Sequence, residues 1–153
     1  MRLLVPLLAA GLLVSGCTNE PEPIALSPDQ ARTLGTRLNE SQKAYFVSAV
    51  LSTPTSKLDT ELASKLVPLG AFSPTFNIYE IASTAYELVL ERPNDMSRWR
   101  AVAKLDGLND SVYGAGYQAA RADALRRNPN LFNSCPEFAQ WSAKYHMEMR
   151  NAG

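Results

Sequence analysis

The chain has 153 residues, 46% of them hydrophobic, and its 15 Lys and Arg are matched by 15 Asp and Glu. A formal net charge of +0 provides no global field to draw in nucleic acid or an acidic surface, so a nucleic-acid partner is not expected. With 2 cysteines the chain has no disulfide framework, and no apolar run reaches the roughly 20 residues of a membrane-spanning helix.

The first residues fall into three zones. Arg2 gives a positive start, Leu3 to Leu13 are apolar apart from Pro6 and Gly11, and Val14-Ser15-Gly16-Cys17 follows. An apolar run of about 11 residues suits the core of a secretion signal. The four-residue ending resembles the lipobox of bacterial lipoproteins, in which an aliphatic residue and two small ones precede an obligatory cysteine. The resemblance implies a diacylglyceryl group on the Cys17 thiol, cleavage before Cys17, and acylation of the new amino terminus. Small residues leave the backbone open to the peptidase, and the thiol is the side chain that forms the thioether. Two or three acyl chains hold a protein on a membrane stably, where one binds only marginally. In Gram-negative lipoproteins an aspartate after the cysteine commonly marks retention in the inner membrane. By the same resemblance, Thr18 implies the inner leaflet of the outer membrane, facing the periplasm. The alternative is an ordinary cleaved signal followed by an incidental cysteine.

This reading divides the chain into a signal peptide over 1–16, a lipidated cysteine and tether over 17–27, and one domain over 28–153. About 137 residues remain after the signal, enough for a domain with a core of its own. Pro21, Pro23 and the lack of periodicity make 18–27 an extended spacer.

Helix punctuation then begins. Ser27-Pro28-Asp29-Gln30 is a capping box that predicts a helix through Ala31, Leu34 and Leu38. Asn39 or Ser41 restarts the chain into an apolar helix over Lys43–Leu51, which Ser52-Thr53-Pro54-Thr55 breaks. Leu58, Leu62 and Leu66 share one side of a helix over Lys57–Val67 that Pro68 and Gly70 end. Ser73-Pro74 opens a helix to Arg92, with Ile78, Ile81, Ala82, Ala85, Leu88 and Val89 clustered and Glu80, Ser83, Thr84, Glu87 and Glu91 opposite. Its apolar arc of roughly 200° is wider than a surface helix needs, which marks it as central. Asp95 caps the next helix, with Met96, Trp99, Val102 and Leu105 inward and Gly107 past its end. From Asn109 or Asp110 to Arg127 runs a helix whose Gly116, Ala120 and Ala124 let a neighbour approach closely, while its charges exclude a membrane span. Ser134-Cys135-Pro136-Glu137 opens a final helix with Phe138, Trp141, Tyr145 and Met149 in one stripe. No run alternates as a strand. The expected fold is all-α, a compact bundle of about six or seven helices on a flexible tether.

Chemistry-bearing groups are sparse. His146 has no His-x-x-x-His partner and there is no Cys-x-x-Cys pair, so neither a metal nor a cofactor is expected, and His146 reads as a partly exposed structural residue. Serine-nucleophile elbows and glycine-rich phosphate loops are missing. Glu80, Glu87 and Glu91 could cleave a glycosidic bond as paired carboxylates, but glutamates on a polar helix face are ordinarily solvated. Arg98, Arg100 and Lys104 form a small basic patch and Arg126-Arg127 another, either of which could meet phospholipid headgroups or an acidic partner. Basic residues near a helix C-terminus, such as Arg126 and Arg127, also complement its dipole. The stripe Phe138, Trp141 and Tyr145 is core packing or, alternatively, the lining of a ligand groove. Cys135 reads as a buried thiol, or else as the site of an intermolecular disulfide. The helix over Tyr45–Leu51 carries more apolar surface than a small bundle needs. Tyr45 and Phe46, with Arg98 and Arg100, are therefore the candidate partner-binding residues.

Pro93, Trp99, Val102, Ala103, Ala115, Ala119 and Ala122 resemble a degenerate tetratricopeptide unit, which implies helical pairs as an alternative architecture. Asp106 stands where that family places a tyrosine, and Pro129 arrives two residues late. The expected function is that of a lipid-anchored interaction module with a cell-envelope protein as partner, either a pilotin-like assembly factor or an immunity-type inhibitor. The competing expectation is a cell-wall or lipid-modifying enzyme built on the three glutamates.

Overall fold

The computed structural model describes residues 38–70, 72 and 76–152. The lipobox, the tether and all but the last residue of the helix expected up to Leu38 lie outside the described residues. Among these, six α-helices appear and no strand: α1 (Glu40–Ser52), α2 (Leu58–Leu66), α3 (Ile78–Glu91), α4 (Met96–Asp106), α5 (Gly114–Arg127) and α6 (Phe138–Ala152). Short 3-10 turns at Thr55–Lys57, Val67–Leu69, Gly107–Asp110 and Leu131–Ser134 join them. The fold is an all-α bundle.

Local chemistry sets most of the boundaries. The Asn39 side chain accepts from the Gln42 backbone N–H at 2.8 Å, and the Gln42 side chain accepts from the Asn39 N–H at 2.8 Å, a reciprocal cap for α1. Thr53 turns its hydroxyl back onto the Ala49 carbonyl and Pro54 follows, which stops the helix. Leu58, Leu62 and Leu66 are all fully buried, the stripe that holds α2 on the core. Gly70 closes the segment in the left-handed region at φ 70, where a Cβ would be strained.

Three helices begin later than their sequence predicts. α6 starts at Phe138, because Ser134, expected to cap it, ends the 3-10 turn Leu131–Ser134 instead. α3 starts at Ile78, because the Asn77 side chain caps it by accepting from the Glu80 N–H, the role expected of Ser73. α5 starts at Gly114, because Asp110 faces α6 instead of capping, and the chain from Gly107 tightens into a 3-10 turn. Met96, expected inward, is 36% exposed in the first turn of α4.

α3 is central, and buried more completely than an amphipathic helix would be. Its expected polar side is not solvated at Glu80, Ser83 and Thr84, all of which are buried. Thr84 sits there at little cost because its hydroxyl donates to the Glu80 carbonyl of its own helix. α5 packs against α3 and brings Gly116 so close that a Cβ there would stand 2.6 Å from Ile78 Cγ2. The Tyr86 and Tyr117 hydroxyls meet at 2.7 Å across the same buried seam. Trp99 is fully buried on α4 with its indole N–H on the Pro93 carbonyl, and Phe132 and Phe138 pack against it.

Candidate functional site

Two polar clusters stand out, at opposite ends of α4. The first lines an open groove of about 590 Å³ between α1 and the α3–α4 turn. Ala44, Val47, Ser48 and Leu51 give it a small, partly apolar wall, and Arg92 from the turn and Ser97 from the start of α4 complete the lining. The rim is charged and paired: Arg92 with Glu40 at 2.7 Å, Lys43 with Glu91 at 2.9 Å, and Arg98 with Glu91 at 2.7 Å. Hydrogen bonds from Lys43 and Arg98 hold the Glu91 carboxyl below its usual range, and Glu91 in turn raises Lys43. A carboxylate held anionic by two cations is suited to ion pairing, not to giving or taking protons.

The second cluster is a ladder between α6 and the end of α4. Ser142, His146 and Arg150, four residues apart on α6, face Asp106 and Asp110, four apart across the α4 terminus and the following turn. His146 lies between the two carboxylates, Nε2 at 2.9 Å from Asp106 and Nδ1 at 2.6 Å from Asp110. Ser142 donates to the same Asp106 oxygen, and Arg150 reaches Asp110 at 3.3 Å. The other oxygen of Asp106, Oδ1, is buried without a hydrogen-bond partner. Tyr117 lies beside this carboxylate, and its phenol is held well above the ordinary range, first by burial and then by the neighbouring Tyr86 and Asp106. Ser142 bonds the carboxylate and not the imidazole, so the ladder is not arranged as a nucleophile with its base.

The residues singled out from sequence do not converge on one surface. Tyr45 is 41% exposed, with its hydroxyl fixed on the Lys65 carbonyl at 2.6 Å across α2. Phe46 has no exposed surface and stacks on Phe72, so it is core and offers nothing to a partner. Arg98 is likewise withdrawn: its guanidinium donates to the Leu88 carbonyl and to Glu91, and only its edge borders the groove. Arg100 is exposed and stacks 4.4 Å above the Trp141 ring on α6, and Lys104 is buried against α1, so the expected basic patch is dispersed. Glu80 is buried, Glu87 is paired with Arg127, and Glu91 belongs to the groove rim.

Cys135 is a buried free thiol, with burial raising its pKa. Among the described residues no group of three or more His, Cys, Asp or Glu is placed to hold a metal ion, and no helix is long and apolar enough to cross a membrane. Sequence patterning does not pair His146 with its ladder partners, although the four-residue spacings of Asp106 with Asp110 and of Ser142 with His146 are present in it. Compared with protein-family models, curated proteins and solved structures, the chain matches none of them.

Proposed function

We propose that the chain is a lipid-anchored helical interaction module of the bacterial cell envelope, and that the groove along α1 receives a segment of an envelope protein partner. The lipobox Val14-Ser15-Gly16-Cys17 supports the anchor, and Thr18 supports the inner leaflet of the outer membrane. The observation that carries the binding role is the groove: a wall of small and apolar side chains on α1 between charges that can exchange partners. Anchoring confines module and partner to one surface, which raises their encounter rate. A pilotin-like assembly factor or an immunity-type inhibitor fits this reading. The enzymatic alternative loses ground, because Glu80, Glu87 and Glu91 occupy three separate environments and Glu91 is held as an anion.

Two experiments separate the parts of the proposal. Palmitate labelling should mark the wild type and not Cys17→Ser; a label that persists in the variant defeats the anchor. Ser48→Arg fills the groove from an exposed position of α1. It should abolish capture of the envelope partner by the tagged, lipidated protein while leaving the melting point within a few degrees. Undiminished capture would move the binding site elsewhere.

A further inference from the structure

We propose that His146, wedged between Asp106 and Asp110, is a proton-operated bolt that fastens α6 to the end of α4, so that α6 loosens when the imidazolium loses its proton. The argument starts from donors. A neutral imidazole has one N–H, yet both ring nitrogens face carboxylate oxygens, at 2.9 and 2.6 Å. Only the imidazolium donates to both. A neutral ring turns a lone pair toward one carboxylate, replacing a charge-assisted hydrogen bond with repulsion.

Charge leads to the same assignment. The groups facing the imidazole are Asp106 from α4, Asp110 from the turn after it, and Arg150 from α6 itself beyond Asp110; Tyr117 from α5 and Tyr86 from α3 stand behind Asp106. With the imidazolium in place, two carboxylates balance two cations. Without it a net negative charge remains beside Asp106, which is 4% exposed and already has one oxygen unpartnered. Arg150 cannot take over, since it reaches only Asp110. The two phenols are pushed up by burial and stay neutral, so neither competes for the proton.

Burial alone would lower the His146 pKa, but the hydrogen bonds to Asp110 and Asp106 outweigh it and the net shift is upward from 6.5. The folded pKa therefore exceeds the unfolded one. The bolt's contribution is complete below pH 6.5 and is lost as pH rises through the folded value.

Because the chain holds a single histidine, its ring signals are unambiguous in nitrogen-detected NMR. The full-length protein is titrated from pH 6 to 9 while amide exchange over α6 is followed, corrected for intrinsic rates. Both ring nitrogens should carry protons at pH 6, and α6 protection should fall with the His146 midpoint. The loss should reach about tenfold for each unit by which that midpoint exceeds 6.5. His146→Gln should show low, pH-independent α6 protection. Asp110→Asn, on the exposed side of the cluster, should stay folded and move the midpoint down. A neutral ring at pH 6, flat α6 protection in the wild type, or an unchanged midpoint in Asp110→Asn would each overturn the proposal.

Discussion

The ammonium group of Lys104 donates to the backbone carbonyl of Leu51 at 2.8 Å, so a side chain of α4 closes the C-terminal end of α1. That carbonyl belongs to the last turn of its helix, where no backbone N–H of the helix remains to bond it. Lys104 is 6% exposed, and burial lowers its pKa. Lys104→Met keeps most of the stem packing and removes the donor, leaving the Leu51 carbonyl without its partner. The expected loss is about 1–3 kcal/mol, read from urea unfolding followed by circular dichroism. Wild-type stability in this variant would mean that water satisfies the carbonyl.

Gly116 tests the α3–α5 seam. Alanine is the better helix former by about 1 kcal/mol, but its methyl would meet Ile78 Cγ2 at 2.6 Å and the Tyr79 backbone nitrogen at 3.3 Å. Overpacking of this kind costs about 1–3 kcal/mol, so Gly116→Ala should be destabilising on balance. The two positions should also be coupled: Gly116→Ala should cost less in an Ile78→Ala background. Additive effects in that double-mutant cycle would remove the clash as the cause.

Which features were legible in the sequence follows from the range of the interactions involved. The Asn39 cap, the Leu58-Leu62-Leu66 stripe and the small residues of α5 depend on neighbours within a turn or two, and periodicity exposes them. Periodicity does not fix the starts of α3, α5 and α6, because several residues can cap and the choice depends on tertiary use: Asp110 is drawn to a histidine 36 residues away. The burial of Arg98 was hidden for a related reason. Its charge reads as surface until the Leu88 carbonyl and Glu91 are seen to satisfy it. The His146 ladder joins residues 36 and 40 apart, and spacing within each helix could not show that the two sets face one another.

Tyr45 and Phe46, adjacent in sequence, should behave oppositely. Phe46 is fully buried on Phe72, and Phe46→Ala should cost about 3–5 kcal/mol. Tyr45 is 41% exposed and gives its hydroxyl to Lys65, so Tyr45→Phe should cost no more than about 1.5 kcal/mol. Thermal melts of the two variants give the comparison directly. Similar losses would contradict the packing of α1 described here.

Arg98 combines burial with pH dependence. Its guanidinium, 5% exposed, donates to the Leu88 carbonyl at 2.8 Å and to Glu91 at 2.7 Å, and lies 3.4 Å from Asp95. Glu91 is itself 43% exposed and keeps Lys43 when Arg98 is removed, so the variant does not strand a buried charge. The main cost of Arg98→Met is the lost charged hydrogen bond to the Leu88 carbonyl, which then keeps only the Arg92 N–H at 3.1 Å, about 1.5–3 kcal/mol at neutral pH. Lysine is no substitute, because one ammonium cannot reproduce the fork that serves α3 and Asp95 together. The acid limb adds a second measurement. Hydrogen bonds from Lys43 and then Arg98 lower the Glu91 pKa from 4.5, so this contribution is present above pH 4.5 and is lost as pH falls through the folded value. Arg98→Met relaxes part of that depression. The stability gap between wild type and variant should therefore narrow as pH is lowered from 6 to 3, as measured by urea unfolding at each pH. A gap that stays constant would mean that Arg98 acts through the Leu88 carbonyl alone and that Lys43 suffices to hold Glu91 ionised.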